Sequence, residues 1–70
     1  MKYEKFAMNT DFIKLDCLLK VKGLAATGGQ AKVFIQNGEV TVNGEVCLQR
    51  GKKVRRGDKI RLFDDEIEIV

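Results

Sequence analysis

The sequence of 70 residues contains no histidine, no proline and no tryptophan, and only two cysteines, Cys17 and Cys47. Without histidine the chain cannot form a Ser–His or Cys–His nucleophile pair, and the usual Cys/His zinc motifs are excluded. Paired carboxylates could still do acid–base chemistry, but a chain this short has few ways to enclose a reaction pocket. We therefore expect no enzyme, no metal site, no cofactor and no small-molecule substrate.

Long apolar runs are also absent. No stretch approaches the roughly 20 apolar residues needed to cross a bilayer. Residues 1–5 include an acidic residue and lead into no apolar block of the kind found in a secretory signal. The two cysteines are far apart, which is typical of small hydrophobic residues or free thiols. These features predict a protein of the reducing cytoplasm with no membrane partner.

The basic residues are concentrated in one segment. Thirteen lysines and arginines against ten acidic residues give a net charge of +3. Residues 49–61 hold seven of those basic residues and a single acidic one, Asp58. Such a block predicts a strongly positive lobe, which is typical of a phosphate-binding surface. A solvated loop on a dipolar surface is the simpler alternative.

A short amphipathic helix is predicted for residues 14–22, where three leucines follow the i, i+3, i+4 spacing. Asp16 lies near its start, where the helix dipole favours an acidic side chain, and can pair with Lys20 one turn later. Gly23 has the position of a left-handed C-terminal cap.

A second helix is predicted to begin at residues 27–30, Thr-Gly-Gly-Gln, which have the spacing of a capping box. Thr27 would cap the helix, and Gln30 would reach back to the amide of Thr27. An Asn-Gly pair closes the helix at Gly38. Two short helices with a tight connection make an αα-hairpin. The buried stripe of the second helix would consist of Ala31, Phe34 and Ile35.

The rest of the chain predicts β-structure. Asn43-Gly44 is the strongest signal for a two-residue type I′ hairpin turn, and Val46 and Leu48 resume the apolar alternation on the return strand. A turn at residues 64–65 would pair Leu62 with Ile67 and Arg61 with Glu68. Residues 2–7 are a candidate edge strand. The predicted fold class is α+β, one domain over residues 1–70, with the helix hairpin packed on a small, mostly antiparallel sheet.

Several short motifs follow one another in a fixed order between about residues 12 and 63. They are Lys14-Leu15-Asp16 with Leu19, Gly23, Thr27 with Gln30-Ala31, Ile35, Gly38, Val40 with Val42-Asn43-Gly44, and Gly57-Asp58 with Ile60. Together they resemble the small αL RNA-binding domain of ribosomal protein S-four, which pseudouridine synthases and tyrosyl-tRNA synthetases share. The short length and the Gly28-Gly29 pair are similar to stand-alone members of the YaaA/YbcJ type. The resemblance implies a bacterial cytoplasmic RNA-binding protein that associates with ribosomes or their precursors.

Two regions are candidates for RNA contact. The first is the segment 50–56, called the basic loop below. The second is the start of the second helix, where free amides suit an anion and two glycines let a phosphate approach; alternatively, the glycines serve only the tight helix connection. Many relatives have an arginine directly after the cap residue, where this chain has Gly28, so contacts there would come from backbone amides. The candidate RNA-binding residues are Lys14, Thr27, Gly28, Gly29, Gln30, Lys32, Arg50, Lys52, Lys53, Arg55 and Arg56.

The aromatic residues indicate how the protein would recognise RNA. Phe12 and Phe63 adjoin apolar residues in the sequence and Phe34 lies on a buried stripe, so no exposed aromatic platform is expected. We therefore predict recognition of structured RNA, ribosomal RNA in particular, by shape and backbone rather than by base stacking. The protein would act as a monomer in a ribosome-associated or ribosome-assembly role. The alternative is an adaptor that docks on an acidic protein through the same basic lobe.

Overall fold

The computed structural model describes residues 2–70, in which two helices and the inner face of a five-stranded sheet share one hydrophobic core. The helices are α1 (Leu15–Val21) and α2 (Gly28–Gln36). The strands are β1 (Lys2–Phe6), β2 (Ile13–Lys14), β3 (Val40–Val42), β4 (Glu45–Val46), β5 (Lys53–Val54), β6 (Lys59–Leu62) and β7 (Asp65–Ile69). The predicted α+β class and helix hairpin are confirmed.

The main sheet has the order β1-β7-β6-β3-β4. Its pairs are antiparallel except for β1, which lies at one edge and runs parallel to β7. The edge strand expected from residues 2–7 is therefore present. Strands β2 and β5 form a separate antiparallel ribbon, which the sequence did not indicate.

The core forms where the apolar stripes of the helices meet alternate residues of the strands. Each buried leucine or isoleucine removed from water contributes on the order of 2 kcal/mol, which is large beside the stability of so small a domain. No polar side chain is buried among the described residues, so the outer faces carry the charge. The most deeply buried side chains are Leu15, Leu18, Leu19, Ile35, Val40, Val54, Ile60, Leu62, Ile67 and Ile69.

Helix α1 ends as predicted at Gly23, whose φ of +78° is the left-handed conformation that glycine adopts without strain. The predicted pair between Asp16 and Lys20 is wrong. The Asp16 carboxylate instead accepts a hydrogen bond from the Cys17 amide at 2.8 Å, which satisfies a first-turn amide that has no partner within the helix. The amide of Ala25 then donates to the carbonyl of Leu19, which folds the connection back against α1.

Helix α2 begins at the predicted cap. The Thr27 hydroxyl accepts a hydrogen bond from the Gln30 amide at 3.1 Å. The Gln30 side chain reaches one residue further back than predicted, accepting from the amide of Ala26 rather than that of Thr27. This longer reach ties the interhelix connection to α2. Phe34 is only half-buried, and its ring meets the Phe63 ring edge to face at 5.4 Å.

The Asn43-Gly44 turn is confirmed as type I′, because both residues have positive φ, +54° and +86°. The predicted return strand is wrong beyond Val46. Strand β4 ends there, and Val46 and Leu48 are 58% and 59% exposed. Their side chains lie next to Gly38, and the Cys47 amide still donates to the Val40 carbonyl at 3.0 Å.

The predicted register of the last hairpin is also wrong. Its turn is Phe63-Asp64, one residue earlier than expected, and Phe63 has a φ of +55°. Moving a hairpin turn by one residue moves the register by two, so Ile60 pairs with Ile67 and Arg61 with Glu66. A shift of two leaves every side chain on its original face, which is why the inward residues were still predicted correctly.

Candidate nucleic-acid interface

The β2–β5 ribbon fixes the basic loop against the beginning of α1. Ile13 pairs with Val54, which is fully buried, and Lys14 pairs with Lys53 on the opposite, solvent side. The carbonyl of Lys52 then accepts the Leu15 amide at 2.9 Å. The structure thereby places Lys14 beside the basic loop, so that its charge adds to the charge of the loop.

Contacts with the basic loop also occupy backbone amides at the start of α1. Its amide groups are engaged by the chain itself: Leu15 donates to Lys52, Asp16 donates to the Arg50 carbonyl at 3.1 Å, and Cys17 donates to the Asp16 side chain. These amides are therefore unavailable to an anion. Anion binding in this region depends on the side chains of the loop.

Those side chains carry uncompensated charge. Arg50, Lys52, Lys53 and Arg55 are exposed, as is Lys14. Within residues 2–70 the ion pairs all involve Glu4, which contacts Lys22 at 3.1 Å and Lys2 at 3.6 Å, far from this loop in sequence. The five cations are therefore free to neutralise an external polyanion.

Arg56 has a different position from its neighbours. Its guanidinium Nη2 donates a hydrogen bond to the carbonyl of Met8 at 2.6 Å, and Met8 belongs to the core. This bond holds the connection between β1 and β2 against the basic loop. Arg56 therefore has a structural function that the sequence did not indicate.

The turn that ends the basic loop is closed by Asp58. Its carboxylate accepts the Arg55 amide at 2.9 Å, while its own amide donates to the Arg55 carbonyl at 3.1 Å. Gly57 within the turn has a φ of +93°, which other residues adopt only with strain. The predicted turn at Gly57-Asp58 is confirmed, and it sets the direction in which Arg55 leaves the sheet.

The start of α2 is the second candidate region. A Cβ placed on Gly28 would meet no atom within 4 Å, and one on Gly29 would make only an ordinary contact with Thr27. Neither glycine has a positive φ. The tight helix connection therefore requires neither glycine. No acceptor among residues 2–70 engages their amides, and exposed Lys32 lies one turn further on.

The two regions are separate in their contacts. Hydrogen bonds from the basic loop to other elements run to residues 8–16, and within the described chain none joins the loop to residues 27–32. The molecule measures 27 × 24 × 21 Å. The two regions therefore lie within one small molecule, and no hydrogen bond couples them within the described chain.

Two aromatic residues that adjoin apolar residues in the sequence are exposed in the structure. Phe63 is 57% exposed and Phe12 is 36% exposed. The Phe12 ring lies 4.9 Å from the Lys53 ammonium nitrogen, within the range of a cation–π contact. Apolar neighbours in sequence were a poor guide, since successive residues of an extended segment point to opposite sides.

Two side chains with shifted pKa values lie on β1, outside these regions. The hydrogen bond and charge of Lys22 lower the pKa of Glu4, with a smaller contribution from Lys2. A hydrogen bond to Glu68 raises the pKa of Tyr3. Neither α1 nor α2 in residues 2–70 has the length and apolar content needed to span a membrane.

The comparisons with known proteins agree with this geometry. The S4 domain family model matches residues 6–70, and the chain belongs to that family. The solution structure of YbcJ from E. coli, described as having an αL motif involved in RNA binding, is similar to this one with a TM-score of 0.73. The two sequences are 28% identical, and the similarity covers 94% of this chain and 85% of YbcJ. Among curated protein sequences none matches this chain. The resemblance noted from the motifs is confirmed.

Proposed function

We propose that this protein binds structured RNA through Lys14 and the basic loop. The observation that carries the proposal is the set of five exposed cations on the β2–β5 ribbon and the loop around it, without a carboxylate partner among the described residues. Membership of the S4 domain family supports it, as does the RNA-binding description of YbcJ. Phosphate contacts of this kind supply affinity and position the protein on its target.

The arginine and lysine side chains would contact phosphate in different ways. Arg50 and Arg55 can each bond two phosphate oxygens at once, while Lys14, Lys52 and Lys53 act as point charges. The amides of Gly28 and Gly29, with Thr27, Gln30 and Lys32 around them, form a second phosphate contact. Because Gly28 stands where many relatives have arginine, this second contact is the weaker one.

The proposed target is ribosomal RNA, and the proposed role is in ribosome association or assembly. The similarity of the motifs to the domain of ribosomal protein S-four supports this choice. The proposed setting is the cytoplasm, where a monomer with free thiols at Cys17 and Cys47 would stay reduced. Under this proposal the protein uses no cofactor and catalyses no reaction.

Crosslinking in cells, followed by sequencing of the bound RNA, tests the target. Enrichment of ribosomal sequences would support the proposal, and enrichment of other RNA would redirect it. In vitro, contacts with about four to six phosphates predict a slope of log K against log salt between about −3 and −5. A flat salt response would contradict phosphate binding. Partners that survive nuclease treatment during purification would instead indicate an adaptor for an acidic protein.

A further inference from the structure

The solvent side of the β2–β5 ribbon brings one aromatic ring and two ammonium groups together. Lys14 and Lys53 are directly opposite each other in the antiparallel register. Phe12 precedes the ribbon, and its ring lies 4.9 Å from the Lys53 ammonium nitrogen. All three residues are exposed.

The two facing lysines destabilise the free protein. Like charges at directly opposite positions of an antiparallel pair repel each other, and this ribbon has only two residue pairs to hold it. The described chain offers neither lysine a carboxylate. A phosphate placed between the two ammonium groups would turn the repulsion into two charge-assisted contacts.

The Phe12 ring needs a separate explanation. The residue is 36% exposed, and the Lys53 ammonium group beside the ring stabilises it little, since cation–π contacts at the surface are weak. Proteins that bind unpaired nucleotides combine these same elements, a cationic track for the backbone and an aromatic ring on which a base stacks.

We infer that Phe12, Lys14 and Lys53 form a site for one unpaired nucleotide. Its base stacks on Phe12, and its phosphate lies between the two lysines. The inference rests on the proposed RNA binding and adds a preference for RNA in which a loop or bulge accompanies the helical part. Recognition would then include a base contact as well as shape and backbone.

Two RNA probes with the same stem separate the site from general phosphate binding. One is a hairpin closed by four uridines, and the other is the blunt duplex. Replacing phenylalanine by leucine keeps apolar bulk but removes the stacking face. Phe12→Leu should weaken binding of the hairpin about tenfold and leave duplex binding unchanged. Phe63→Leu is the matched control, because Phe63 is also exposed but lies on another hairpin.

A second variant reports on stacking directly. Phe12→Trp introduces the sole tryptophan of the chain. Its fluorescence should change when the uridine hairpin binds and stay constant with the duplex. Thermal melting of each variant checks that it is folded.

The outcomes distinguish the two proposals. Equal affinity of wild type and Phe12→Leu for the hairpin, with normal salt dependence, would overturn the nucleotide site and leave RNA binding intact. An equal loss on both probes, or an equal loss in Phe63→Leu, would overturn it too. Wild-type protein that binds neither probe would overturn the proposed function and the nucleotide site together.

Discussion

The side chain of Asn43 donates a hydrogen bond from Nδ2 to the Oδ1 of Asp58 at 3.0 Å, although the two residues belong to different turns. The side-chain amide oxygen Oδ1 of Asn43 in turn accepts a hydrogen bond from the backbone amide of Lys59 at 2.9 Å. Since Asp58 also closes the turn after the basic loop, the β3–β4 hairpin and the end of that loop are locked together. Two motifs that look independent in the sequence, Asn-Gly and Gly-Asp, are one interlocked unit.

We expect Asp58→Ala to lower the free energy of unfolding by about 1–3 kcal/mol, because Asn43 and the Arg55 amide both lose their acceptor. Urea unfolding measures the change. Asp64→Ala is the control, since Asp64 lies in the other hairpin turn and is exposed. If the two variants had equal stability, the lock would contribute nothing.

Charge reversal in the basic loop should weaken RNA binding without unfolding the protein. Lys53→Glu and Arg55→Glu should each lower the affinity and make the salt slope shallower by about one unit. Binding titrations at several salt concentrations measure both quantities. Lys20→Glu changes the net charge equally but lies on α1 away from the loop; a similar loss there would mean that only overall charge matters.

Neighbouring arginines should respond differently to truncation. Arg56→Ala removes the hydrogen bond to the Met8 carbonyl and should cost about 1–3 kcal/mol of folding free energy. Arg55→Ala should leave stability within about 0.5 kcal/mol and reduce RNA affinity instead. Thermal melting and RNA titration of both variants test this division. The reverse pattern would show that the Met8 contact is unimportant.

An arginine at position 28 should strengthen the second contact. The space beside Gly28 is open, so Gly28→Arg is accommodated without a clash. The variant should bind RNA more tightly, with a salt slope steeper by about one unit. Gly28→Ala is the control, which should raise helix stability by up to about 1 kcal/mol without tightening RNA binding. No gain with arginine would exclude the start of α2 from the interface.

The ion pair between Lys22 and Glu4 should appear in the acid dependence of stability. The pKa of Glu4 in the folded protein lies below its ordinary value of about 4.3, so the stabilisation is present above that pH. It is lost as the pH falls through the folded pKa. Lys22→Gln should therefore flatten the dependence of unfolding free energy on pH below about pH 5. If the unfolding free energy of the variant had the same dependence on acidic pH as that of the wild type, the ion pair between Lys22 and Glu4 would be contradicted.

Local signals predicted the helices and turns of this fold well. The leucine spacing, the Thr27 cap and the Asn43-Gly44 turn each act over a few residues, and each was found as predicted. The last hairpin shows the limit of such signals. Asp64 and Asp65 are both good turn residues, but the turn begins at Phe63 and shifts the pairing by two.

The site was predictable in its residues but not in its assembly. Charge density alone identified the basic loop. A ribbon of two residue pairs has no sequence period, so the pairing of Lys14 with Lys53 could not be predicted. The bond from Arg56 to Met8 and the exposure of Phe12 depend on the same long-range contacts. The sequence thus indicated which residues are charged, and the topology decided which of them meet.

Strand β1 pairs with β7, so residues 2–6 find their hydrogen-bond partners only at residues 65–69. During synthesis β1 has no paired strand until residues 65–69 have left the ribosome. Such distant pairing slows folding and exposes an unpaired strand in the meantime. The main sheet therefore gains its β1 edge only after β7 has been synthesised.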